Sequence, residues 1–255
     1  MAVHEAARQG FSKESASYER GRPEYPGGLL GWLSDSLGAK PRAQVVDLGA
    51  GTGKFTRLLA RTGADVVAVE PVDAMRERLA LSSPDVRALA GTAESMPLDD
   101  QSLDAVACAQ AFHWFANGRA LQEIHRVLRP GGRLGLVWNV REESVDWVAA
   151  ITAIITPYEG DAPRHYTGRW REPFDQQDLF SPLRCSVFAN SHVGTFDQVV
   201  IDRTMSVSFI AALPDDEKRA VEARLRGLRD LFPALREEEI SFPYRTEAWL
   251  CERIN

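Results

Sequence analysis

Val45-Val46-Asp47-Leu48-Gly49-Ala50-Gly51-Thr52-Gly53-Lys54 decides how the chain is read. Val45, Val46 and Leu48 make the apolar run of a strand covered on both faces. Gly49, Gly51 and Gly53 let the backbone turn sharply and approach a ligand that a Cβ would exclude. A helix opening near Lys54 points its unpaired N–H groups at that ligand. Strand, glycine loop and helix in this order imply a nucleoside or dinucleotide cofactor.

Working outward, a helix over 28–37 precedes this unit, and strands then alternate with helices. Strands are predicted at 44–48, 65–70, 86–90, 102–108 and 133–138, and helices at 54–61, 74–81 and 120–128. Pro130-Gly131-Gly132 reads as a break before the fifth strand. Such alternation predicts an α/β fold with a mostly parallel sheet and helices on both faces. After Asn139 the rhythm fails. A helix over 145–155, a strand over 183–189, helices over 198–212 and 215–231 and a last strand over 239–253 remain. The expected organisation is a lead-in over 1–40, a cofactor-binding core over 41–140, and over 141–255 an inserted cap plus the strands that complete the sheet.

The 255 residues, 44% hydrophobic, suffice for one sizeable core. A net charge of −6 without a basic run makes nucleic acid and membrane surfaces poor partners. Cys108, Cys185 and Cys251 lie far apart, which argues against a disulfide scaffold or a zinc site and for a reducing cytoplasm. The sequence has no run of transmembrane length, and its start does not read as a secretory signal. No paired acids or Cys/His set marks a catalytic metal.

The strand ends supply the candidate contacts. Glu70 follows the second strand by the spacing at which an acid accepts hydrogen bonds from ribose hydroxyls. In an open α/β sheet ligands sit at the carboxyl ends of the strands, so Gln110 and Ala111, after the fourth strand, are placed beside the cofactor. His113 is the candidate catalytic residue, as a general base or a hydrogen-bonding anchor, with packing under Trp114 and Phe115 as the structural alternative.

The loop reads G-x-G-x-G with Asp47 two residues before its first glycine, unlike the G-x-G-x-x-G of dehydrogenases. It resembles motif I of the class I S-adenosylmethionine (SAM) dependent methyltransferases. Arg126-Val127-Leu128-Arg129-Pro130-Gly131-Gly132 resembles a segment that many of them share. Arg22-Pro23 with Tyr25-Pro26, Gln110-Ala111-Phe112-His113-Trp114 and Leu136-Val137-Trp138-Asn139 resemble a narrower group, the methyltransferase type 11 and trans-aconitate methyltransferase-like enzymes. The resemblance implies a Rossmann-like fold with a seven-stranded, mostly parallel sheet. It implies SAM as cofactor, with S-adenosylhomocysteine as product, held by Asp47, Gly49, Ala50, Gly51, Thr52 and Gly53. It places Ala93 and Glu94 against adenine and folds Tyr18 and Arg22 over the cofactor.

A small-molecule acceptor follows from the same resemblance, and Trp114, Trp138 and Arg169 are its candidate contacts. Arginines among aromatics over 141–171 suit a carboxylic acid, although a solvated surface loop is the plainer reading. Quinone or sterol C-methylation stays open and would need an apolar cap pocket. A catalytically silent SAM-binding protein and a nicotinamide oxidoreductase are the readings from other classes.

Overall fold

The computed structural model describes residues 21–254. Seven strands form one sheet in the order β3-β2-β1-β4-β5-β7-β6. They are β1 (Gln44–Leu48), β2 (Asp65–Val69), β3 (Arg87–Leu89), β4 (Leu103–Ala109), β5 (Leu128–Arg141), β6 (Arg184–Gly194) and β7 (Ile240–Glu252). β1 to β5 pair in parallel, and β7 runs antiparallel to both β5 and β6. The main helices are α1 (Gly28–Trp32), α2 (Lys54–Ala60), α3 (Asp73–Ser82), α4 (Gly118–Val127), α5 (Asp146–Ile155) and α6 (Asp215–Leu231). None of these helices is long and apolar enough to cross a membrane.

The central strands are apolar on both faces because helices cover both. On one face Val46, Val106, Leu134 and Leu136 pack with Leu121 and Ile124 of α4. On the other, Val45, Ala105, Ala107 and Val137 pack with Leu29 of α1 and with Phe55 and Leu59 of α2. Small residues in β4 let α1 and α2 lie close to the sheet. Helix α1 continues as a π-helical turn over Leu33–Leu37 and stops at Gly38, in the left-handed conformation.

Two elements depart from the sequence reading. Pro130-Gly131-Gly132 does not precede the fifth strand but lies within it. β4 pairs Leu103 with Leu128 and then Ala105 with Arg133, so residues 129–132 bulge opposite Asp104. β5 also runs on to Arg141, because Asn139, Val140 and Arg141 pair with Thr246, Arg245 and Tyr244 of β7. The helix expected over 198–212 is two pieces: a π-helical stretch, Asp197–Asp202, that runs straight into Arg203–Met205, and then Ser208–Ala211.

The cap is assembled from two insertions, residues 142–183 after β5 and 195–239 between β6 and β7. Ile151 and Ile155 of α5, Val199 and Ile210, Leu225 of α6 and Phe242 of β7 share its core. The Ile151, Ile154 and Ile155 stripe is buried, as core packing requires.

Gly132 is the tightest point of the β5 bulge. A Cβ there would lie 2.8 Å from the Arg129 carbonyl oxygen and 3.2 Å from that of Asp104. Gly132→Ala should cost about 1–3 kcal/mol, read as a lower urea midpoint at unchanged slope. An unchanged midpoint would show that the bulge relaxes freely.

Candidate functional site

The first cavity opens at the carboxyl ends of β1 to β4. Gly49, Gly51 and Gly53 all have positive φ, at 70°, 58° and 87°. A Cβ on Gly49 would stand 2.9 Å from the Ala111 Cβ, so the loop after β1 and the loop after β4 touch. Gly49 N–H donates to Val69 O at 2.8 Å. The Glu70 carboxylate accepts from Gly51 N–H and from Val72 N–H, both at 2.9 Å. Burial raises the Glu70 pKa, against the pull of those two N–H groups.

Leu48 to Thr52, Glu70, Ala93, Glu94, Gln110 and Ala111 all reach this cavity. Gln110 holds φ at 59°, rare for a residue with a Cβ, while its N–H donates to Val137 O at 2.8 Å. Asp47 and Gly53 stand behind the loop and not on the cavity wall. Asp47 is buried, its Oδ2 accepts from the Thr56 hydroxyl at 2.6 Å, and its Oδ1 has no hydrogen-bond partner. Gly53 turns the chain into α2 as its N-terminal cap.

Val72 and Met75, at the start of α3, line the cavity. Met96 is in the core, its N–H on Glu123 Oε1 at 2.6 Å. Lys54 was missed as well. Its Nζ donates to Arg22 O and pairs with Glu24 at 2.9 Å. Asn139 Nδ2 donates to Glu24 O at 3.3 Å, and Asn190 Nδ2 to the same oxygen at 2.8 Å. These bonds hold residues 22–24 across the strand ends, and Arg22 lines the cavity. Tyr18 lies outside the described residues.

A second chamber adjoins the first. Arg22, Gln110, Trp114, Asn139 and Arg203 line both. The chamber alone takes His113, Trp138, Arg141, Arg164 and His165, and its volume is about 150 Å³. One water needs roughly 10–15 Å³ by the same measure, so the space suits a molecule of about ten heavy atoms. Trp114 and Trp138 reach the chamber, and Arg169 does not: it is exposed on the outer side of the cap, its place taken by Arg141, Arg164 and Arg203. Arg203 comes from the second insertion, where no local pattern marks it.

His113 sits on a 3₁₀ turn (Phe112–Trp114) whose Phe112 is wholly buried. Trp138 Nε1–H can only donate, and it donates to His113 Nδ1 at 3.1 Å. The neutral ring therefore carries its proton on Nε2 and offers a donor there. Burial, then the charges of Arg164, His165 and Arg22, hold the His113 pKa down at about 3. This arrangement favours the anchor over the general base among the two roles considered for His113.

Residues 46–136 match the methyltransferase domain family. A methyltransferase-like protein of Schizosaccharomyces pombe is 39% identical over 247 residues, covering 95% of each chain. A methyltransferase of Mycobacterium tuberculosis is 40% identical over 244 residues, covering 92% of each. The chain belongs to the class I SAM-dependent methyltransferases. The methyltransferase also shares its fold with a phosphoethanolamine N-methyltransferase of Haemonchus contortus, solved with phosphomonomethylethanolamine and S-adenosylhomocysteine. That similarity has TM-score 0.59 at 11% identity and covers 100% of this chain and 61% of the other. The cavity fits such a cofactor on two counts. At Gly51 the nearest atom to the place of a Cβ is Met75 Sδ at 3.9 Å, so the backbone can be approached there, and the Glu70 carboxylate reaches the cavity with lone pairs left beyond its two N–H bonds.

Burial lifts the Asp47 carboxyl to about 7, opposed by the Thr56 hydroxyl and reinforced by the Glu70 charge. The folded chain keeps a proton on Asp47 that the unfolded chain releases near 3.8. Stability therefore falls as pH rises from about 4 to about 7. Asp47→Asn should flatten this stretch of the Tm profile of the ligand-free protein. A drop as steep as in the wild type would assign the effect to other carboxyls.

Proposed function

We propose that the enzyme transfers a methyl group from SAM to a small-molecule acceptor, a carboxylic acid, in the cytoplasm. The observation that carries this reading is the pair of adjoining cavities: one walled by the glycine loop and Glu70, the other by the cap, meeting at Gln110, Trp114 and Asn139. Asp47, Gly49, Ala50, Gly51, Thr52 and Gly53 form or back the loop that would face the amino acid end of the cofactor. Glu70 offers its remaining lone pairs to the ribose hydroxyls. Ala93 and Glu94 flank the adenine, with Gln110 and Ala111 on the opposite rim. Arg22 stands where it can pair the methionine carboxylate. An arginine-lined chamber favours an acid over the apolar quinone or sterol alternative.

When bound, the cofactor supplies an electrophilic sulfonium methyl. The protein's task is then to hold the nucleophile in line and to exclude water. An ionised carboxylate needs no base, which agrees with a His113 that stays neutral and donates through Nε2. Residues 22–24, held by Lys54 and Asn139, lie across the strand ends beside the proposed reaction site.

Calorimetric titration with SAM, S-adenosylhomocysteine and NADH tests the cofactor. Both adenosyl ligands should bind in preference to NADH, and Glu70→Ala should weaken them at least tenfold, about 1.4 kcal/mol. Preference for NADH would overturn the reading. Incubation with small carboxylic acids, followed by assay of S-adenosylhomocysteine, then tests turnover; its absence with every acceptor class would leave a binding protein.

The pH dependence of turnover tests His113. The rate should show no limb between about pH 5 and 8 that His113→Asn removes, because a ring with so low a pKa does not titrate there. Such a limb would restore His113 as a base.

A further inference from the structure

Trp138 is wholly buried, and its indole makes a single hydrogen bond, from Nε1–H to His113 Nδ1. Two rings from the first insertion lie against it, those of His165 and Trp170, each with its centroid 4.6 Å away. Both rings sit on 3₁₀ turns of three residues, His165–Thr167 and Arg169–Arg171. Such a turn closes few backbone bonds, so side-chain contacts have to fix the rings it carries.

Glu247 supplies those contacts. It is the β7 residue paired with Trp138 across the sheet, so the two side chains share a face. Glu247 is buried and does not line the chamber. Its Oε2 stands 3.4 Å from His165 Nε2 and accepts from Trp249 Nε1 at 3.2 Å, and its Oε1 accepts from Arg245 Nε at 3.1 Å. His165 Nε2 is buried and makes no hydrogen bond of ordinary geometry, so the attraction between the two is electrostatic. The contact with His165 holds the Glu247 carboxyl down at about 2, against the pull of burial, and the group is an anion at neutral pH.

These contacts close a ring around Trp138. The Arg171 guanidinium lies 4.4 Å from the Trp249 ring centroid and 4.5 Å from that of Trp170. Trp170 stacks on His165 at 5.8 Å with 18° between the planes. Glu247 completes the circuit, because it alone touches both His165 and Trp249. The output of the circuit is the bond to His113. If that bond opened, the neutral imidazole could move its proton to Nδ1, and Nε2 would change from a donor to an acceptor.

Resting on the reading that the second chamber takes the methyl acceptor, we propose that Glu247 is a positioning residue. Acting through His165 and Trp138, it fixes the His113 ring in one orientation with the proton on Nε2. A donor held this way orients an acceptor without having to be ordered at the moment of reaction. A carboxylate that only fastened the insertion to the sheet could be lost without any change at His113.

Nitrogen-15 NMR of the ligand-free full chain, labelled in tryptophan and histidine, separates the two roles. Trp138→Phe and His113→Asn assign the signals. In the wild type the Trp138 N–H should exchange slowly, and His113 should show one tautomer. Glu247→Gln removes the charge and keeps the size. It should speed exchange of the Trp138 N–H by about tenfold or more and mix the His113 tautomers. His165→Phe keeps the stacked ring and removes the polar partner. It should act in the same way, and the double variant should add less than about twofold to either. Arg245→Gln, which takes away the contact at Oε1, should leave both signals in place. Unchanged Trp32 and Trp147 signals mark an intact fold, and if Glu247→Gln does not fold, His165→Phe carries the test. Wild-type signals in Glu247→Gln and His165→Phe, additive effects, or an equal effect of Arg245→Gln would each overturn the proposal. None of these readings involves cofactor or acceptor, so they are told apart from a failure of the methyl-transfer reading, which shows as absent S-adenosylhomocysteine binding. With the carboxylic acid that turns over, kcat of Glu247→Gln should fall by about tenfold or more while S-adenosylhomocysteine affinity stays within about twofold. An unchanged kcat would remove Glu247 from the positioning of the acceptor.

Discussion

A glycine loop can lay its backbone along a cavity only if something other than a helix or a ladder holds it in place, and here that restraint comes from the end of the neighbouring strand. Gly49 N–H reaches Val69 O, and Gly51 N–H reaches the Glu70 carboxylate, which also takes Val72 N–H. One acidic side chain thus fixes the turn after β1 to the turn after β2. Three left-handed glycines make the path sterically open, and the Ala111 Cβ closes on Gly49 from the β4 side. The cavity wall, the entry into α2 and the junction with the second chamber all take their positions from this loop.

Much of the sheet was legible because its signals are local. Gln44–Leu48 and Asp215–Leu231 emerge with the boundaries read from the sequence. In the first, an apolar run meets glycines; in the second, acids fill the first turn of a helix with one apolar face. The fifth strand was misjudged at both ends for a non-local reason. Proline and two glycines normally end a strand, yet pairing of Leu128 with Leu103 carries β5 through them as a bulge, and β7 extends it beyond Trp138. Tertiary pairing overrode the turn chemistry there; the helix over 198–212, by contrast, is interrupted at Ser206–Val207.

The first cavity was more readable than the second chamber, and topology explains why. Its residues follow successive strand ends, so spacing along the chain maps onto position in the sheet. The chamber draws Arg22 from the lead-in, His113 from the β4 loop, Arg141 from the end of β5, Arg164 from the first insertion and Arg203 from the second. No short window contains two of these with the right orientation. Arg169 illustrates the difficulty: it sits five residues from Arg164, in equally aromatic company, yet points away from the chamber that Arg164 lines.

The linings of the two cavities bear on the proposed displacement. Glu70 lines the first, and the guanidiniums of Arg141, Arg164 and Arg203 line the second. A cationic methyl donor and an anionic acceptor lose opposite charges as they react, so a site shielded from water favours the transition state over the separated ions. The same shielding makes a guanidinium beside the reacting oxygen harmful, since it would stabilise the anion that has to be consumed. His113 suits that displacement: bonded by Trp138 and kept uncharged, it offers a neutral donor and adds no positive charge to the chamber.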